Sequence, residues 1–143
     1  MNSRQKVLVQ DSFEKVVPIA DTAAALFYGR LFELDRSLRP MFMIDLKQQG
    51  GKLMSMLALV VHGLDDLEQL IPTLQVLGRR HAAYGVKPEH FTTVASALLW
   101  TLEKGLGEAF TPEVKEAWTV VYALLAATMQ EAAWPVQRTE SVR

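Results

Sequence analysis

No cysteine occurs in the 143 residues, which excludes disulfides, thiolate-ligated metals and cysteine nucleophiles and fits a reducing cytoplasm. Neither sign of charge dominates. The 15 Lys and Arg offset 16 Asp and Glu to a net −1, with no basic run that would track phosphates or lie on an anionic membrane. Nucleic acid and membrane surfaces are therefore not expected partners. No apolar run reaches the roughly 18 residues needed to span a bilayer. The polar start MNSRQK gives neither a signal peptide nor an anchor, so a soluble, cytoplasmic protein is expected. Sustained apolar–polar alternation and Asn-Gly or Asp-Gly turns are also missing, which leaves little room for strands.

What is present is 3.6-residue periodicity in segment after segment, in a chain that is 50% hydrophobic and of one-domain length. The expectation is a single all-α domain over residues 1–143 with a frayed tail after Pro135. A first helix starts near Ser3 and is interrupted at Pro18, and a second runs from Ile19 to about Leu34. Gly29 inside the second costs about 1 kcal/mol relative to alanine, which predicts a close helix crossing there. DRSLRP, residues 35–40, reads as a turn or a one-turn helix. Ile44 to Gly51, ending in QQGG, reads as a loop or a loosely wound helix start. A firmer helix follows to His62, its inward face made of Gln49, Leu53, Met56, Leu57 and Val60.

The most informative stretch is Leu67 to Val86. Leu67, Leu70, Leu74, Leu77 and His81 recur at helical spacings, so the imidazole continues a buried stripe. Pro72 is expected to kink this helix or to begin its final part. A buried imidazole without partners costs roughly 1 to 3 kcal/mol, so something must bind His81, a backbone carbonyl being the ordinary answer. Pro88 starts the next helix with Phe91, Val94, Ala95, Leu98 and Leu102, and Thr111-Pro112 opens the last. The three histidines, His62, His81 and His90, lack ligand spacing for zinc, and His62 and His90 read as surface or helix-end residues. A single inward histidine suits a larger cofactor, and one axial ligand suits haem iron.

Here the sequence resembles the globin family, in particular bacterial single-domain haemoglobins and the haem domain of flavohaemoglobins. The residues that carry the likeness are LFYGRLF with Tyr28, Phe42 after the short third helix, Gln49 and Leu53 four apart, and LGRRHAAYGVKPEHF with His81. The resemblance implies a three-over-three globin sandwich of about seven helices around haem b. It implies His81 as the axial iron ligand. Tyr28 and Gln49, or Gln48 in its place, would act as distal hydrogen-bond donors. Phe42 and Leu53 would wedge the porphyrin, and Leu57, Tyr84, Val86, Phe91 and Val94 would complete its surroundings. Lys52 and Arg80 are the candidates to pair with propionates.

The function implied is reversible binding of O2, with NO and CO as further ligands, for oxygen binding or transport at an iron able to remain pentacoordinate. Nitric oxide dioxygenation is implied where a separate reductase is supplied, since the chain has no flavin or nicotinamide domain. The sequence departs from the flavohaemoglobin pattern on the proximal side: Phe91 stands where that family has a tyrosine, and Glu131 is offset from its glutamate. Push chemistry of the peroxidase kind is correspondingly weakened. The alternatives are a gas or stress sensor acting through a partner protein, and a haem-free interaction module, which would have no use for His81 with Tyr28 and Gln49.

Overall fold

The computed structural model describes residues 1–41 and 46–135, and these form six α-helices and three short 3₁₀ helices. Helix α1, Ser3–Val16, begins in a capping box: the Asn2 side chain accepts from the Gln5 N–H, and the Gln5 side chain accepts from the Asn2 N–H. Pro18 then sits in a 3₁₀ turn, Val17–Ile19, that redirects the chain into α2, Ala20–Leu34. Asp35 ends α2 in extended backbone, and its carboxylate accepts from both the Ser37 N–H and hydroxyl. The 3₁₀ helix Arg36–Met41 follows.

Helix α3 is Leu46–Gly63, α4 Leu67–Ala83, α5 His90–Leu106 and α6 Pro112–Ala133. Asp66 caps α4 by accepting from the Gln69 N–H. Thr111 caps α6 by accepting from the Val114 N–H, with Pro112 in the first turn, where a missing N–H does no harm. Helix α2 lies against α5 and α3, α1 against α6, and α4 most extensively against α6. Phe13, Leu31, Leu74, Val9 and Val61 are the fully buried centre. Trp118 on α6 donates to the Ser12 hydroxyl on α1 at 2.8 Å, and that hydroxyl donates to the Leu8 carbonyl at 2.7 Å, so both of these buried polar groups are paired.

Three expectations change. The QQGG segment is helical from Leu46, since Gly50 lets α3 lie directly on α2: a Cβ there would meet Ala24 Cβ at 2.8 Å. The close crossing therefore falls at Gly50 and not at Gly29, which is exposed with nothing within 4 Å of an added Cβ. Helix α4 continues through Pro72, at the cost of one backbone hydrogen bond. Phe42 and the tail beyond Pro135 lie outside the described residues. Among the described residues no helix is long and apolar enough to cross a membrane.

Candidate functional site

Helices α3 and α4 meet where Gly63 packs on Leu70, yet share far less contact with each other than α4 shares with α6. The functional side chains expected from sequence lie on these two helices and on α2. His81 stands in the last turn of α4, half-buried, its Nδ1 2.7 Å from the Leu77 carbonyl. A carbonyl only accepts, so Nδ1 carries a hydrogen, and in the neutral ring the lone pair then lies on Nε2. Nε2 has no hydrogen-bond partner among the described residues. The backbone of His81 is held as well: its carbonyl accepts from the Val86 N–H at 3.1 Å, and the Ala82 carbonyl accepts from Gly85 at 3.1 Å. These two bonds make a Schellman end, which Gly85 permits at φ +99°. Val86 is thereby tied to the residue it was expected to flank.

On α2, Tyr28 is 5% exposed, between Phe27 edge-on at 5.1 Å and Phe32 stacked at 6.1 Å. Its hydroxyl donates to the backbone carbonyl of Gln49 at 3.4 Å. Burial pushes the phenol up to about 12, with hydrogen bonding to Gln49 acting the other way, so at neutral pH it remains a donor. Gln49 is half-buried and Gln48 exposed, which makes Gln49 the better placed of the two amides. Leu53 is half-buried and Leu57 buried on the same helix.

Phe91 is buried and Val94 half-buried on α5. The Phe91 ring meets Trp134 edge-on at 6.2 Å, and its carbonyl accepts from the Tyr122 hydroxyl at 2.6 Å. Lys52 and Arg80 are exposed. Tyr84 is 78% exposed and contributes its backbone as the C-cap of α4. His62 is exposed as expected, whereas His90 is a buried helix-end residue whose Nδ1 accepts from the Lys87 N–H at 2.9 Å. The described residues hold no group of three or more His, Asp or Glu suited to a bare metal ion. An open groove of about 550 Å³ lies elsewhere, on the outer face of α2 among Gly29, Phe32, Glu33, Arg36 and Arg39, away from the histidine. The backbone carbonyl expected as partner of a buried imidazole is that of Leu77, four residues before it on the same helix.

A family model described as Globin matches residues 25–129. Neuroglobin of Tetraodon nigroviridis is 31% identical over 143 residues, covering 90% of this chain and 90% of that protein. Neuroglobin of Danio rerio is 29% identical with the same coverage of both. Among solved structures, a hexacoordinated heme protein from an anhydrobiotic tardigrade shares the fold with a TM-score of 0.84 at 15% identity, over 93% of this chain and 95% of that one. What these relatives establish is wider than the bacterial branch expected from sequence. The chain belongs to the globin family.

Proposed function

We propose that this globin holds haem b through His81 and binds dioxygen reversibly. The observation that carries the reading is the imidazole itself, whose Nδ1–H is committed to the Leu77 carbonyl while the Nε2 lone pair is left for a metal. The rest of the set fits the same group. Leu53, Leu57, Val86, Phe91 and Val94 offer apolar cover, Phe42 would add to it, and Lys52 and Arg80 are exposed cations that propionates could meet. Haem supplies an iron centre to which O2, NO or CO can bind. Tyr28 would turn its one O–H from the Gln49 carbonyl, a long contact of 3.4 Å, toward that ligand, and the Gln49 amide would donate beside it. The narrower likeness to bacterial haemoglobins rests on this tyrosine–glutamine pair. Nitric oxide and dioxygen combine to nitrate with one electron, which a separate reductase would supply. The absence of cysteine accords with action in the cytoplasm.

The tardigrade protein's hexacoordinated heme raises the question of a sixth ligand from this chain, a second histidine being one candidate. Gln49 occupies the distal position in this chain, and His62 lies 13 residues further along α3, about 20 Å by the helical rise. A ferric sixth ligand of water, hydroxide or Tyr28 is therefore expected. The test is the absorption and electron paramagnetic resonance of the purified protein. A Soret band, native or after hemin addition, without a bis-histidine signal supports the proposal. A colourless protein that refuses hemin removes it, and a bis-histidine signal removes the open sixth position.

A further inference from the structure

Helix α4 rests on α6 at a glycine that the haem reading has not used. A Cβ built on Gly78 would stand 2.7 Å from the Cα of Met129 and 2.8 Å from its carbonyl carbon, nearer than side chains come in real structures. These are backbone atoms inside α6, so they cannot swing aside as the end of a side chain would. Gly78 is buried, three residues before His81. The carbonyl that accepts from His81 Nδ1 belongs to the Leu77–Gly78 peptide, so a shift at Gly78 moves both the helix and the anchor of the imidazole. Glycine is among the poorest residues for a helix interior, and here it lies directly against the α6 backbone.

We propose that Gly78 is the positioning residue for His81: by seating α4 on the α6 backbone at Met129, it sets how far the imidazole Nε2 reaches toward the haem. The inference rests on the haem reading above. Two other helical glycines serve as controls. An alanine at Gly50 would crowd Ala24 between α2 and α3, straining a crossing away from α4, and one at Gly29 meets nothing within 4 Å.

The experiment compares Gly78→Ala, Gly50→Ala and Gly29→Ala in the haem-loaded chain. It reads the iron–histidine stretching band of the ferrous, ligand-free protein by resonance Raman, together with hemin loss to an acceptor globin. Gly78→Ala should shift the band and speed hemin loss by about 10- to 100-fold, the scale of disturbed support around a metal ligand. Gly50→Ala and Gly29→Ala should keep the parent's band, even where Gly50→Ala lowers stability. A Gly78→Ala protein with the parent's band and hemin-loss rate overturns the inference, as does a Gly50→Ala protein whose band moves as far. If Gly78→Ala does not fold, Met129→Gly is compared with Met129→Ala, because both remove the same side chain and only glycine loosens the α6 backbone on which Gly78 rests: a band shifted further in the glycine variant supports the assignment and equal bands overturn it. A parent chain that takes up no hemin removes the haem reading and this inference together, whereas a haem-loaded parent with unresponsive variants removes this inference alone.

Discussion

Tyr28 and His81 divide the site's chemistry between a phenol that stays protonated at neutral pH and an imidazole whose Nδ1 is engaged by the Leu77 carbonyl. If Tyr28 and Gln49 both donate toward dioxygen, each is worth about 1 to 2 kcal/mol, or roughly a factor of 5 to 30 in its release rate. They share one acceptor, so their effects should not add. Tyr28 is buried between two phenylalanines, while Gln49 is half-exposed in the first turn of α3. Tyr28→Phe should therefore speed dioxygen release more than Gln49→Leu, with carbon monoxide, the less polarised ligand, changing much less in both. Stopped-flow release of both gases decides it: equal changes for the two gases would point to pocket geometry instead of hydrogen bonding. On the opposite side, His81→Ala should abolish stable hemin uptake in a Soret titration, because His90 is engaged with the Lys87 N–H and His62 is distant along α3. Full uptake with an unchanged ferrous spectrum would show the axial assignment to be wrong.

At the level of elements, the ends of helices were legible and the contacts between them were not. Pro18, Asp66, Gly107 and Thr111-Pro112 mark boundaries through φ restriction, side-chain capping or positive φ, all local properties that a sequence carries openly. Gly29 and Gly50 show the other case. Both are glycines in helices, and only the fold reveals that Ala24 comes up against one and nothing against the other. QQGG read as a loop or a loosely wound helix start because its intrinsic helix propensity is low, and packing of α3 on α2 decides for the helix. The two settings predict opposite signs for the same substitution. Gly29→Ala, in an exposed helix interior, should raise stability by up to about 1 kcal/mol. Gly85→Ala should lower it by about 1 to 2 kcal/mol, since its φ of +99° lies where a Cβ is strained, and should loosen the bond from Val86 to the His81 carbonyl. Urea midpoints of the two variants test this, and a shift of both in one direction would refute the distinction.

Across the whole molecule the candidate site was legible where a residue's role follows from its own helix and obscure where it depends on a distant one. His81 announced itself by continuing a leucine stripe, whereas the 78% exposure of Tyr84 follows from the Schellman end of α4, where Gly85 turns the chain. Tyr122 drew no notice in the sequence, being one more apolar-leaning position on α6. In the fold it donates to the Phe91 carbonyl, and burial raises its phenol beyond the ordinary tyrosine range.

Tyr122 and Tyr28 together give the molecule a stability profile at high pH. The described ion pairs Arg4–Glu113, Lys6–Asp65 and Arg30–Glu33 are largely exposed, so they contribute little and salt should matter little. The two phenols differ, because each has its folded pKa raised by burial above the ordinary value of 10.0, Tyr28 to about 12 and Tyr122 higher. Below 10 both are protonated whether the chain is folded or not, and their contribution is fully present. As pH rises through the folded values, the unfolded chain gives up these protons first, and stability falls. Urea midpoints of the hemin-free protein should therefore hold level from neutral pH to about 10 and decline from there toward 12. The double variant Tyr28→Phe/Tyr122→Phe removes both titrations and should show the shallower decline, even if it begins from a lower midpoint through loss of the two hydrogen bonds. Parallel declines in parent and variant would assign the alkaline loss to groups other than these two tyrosines.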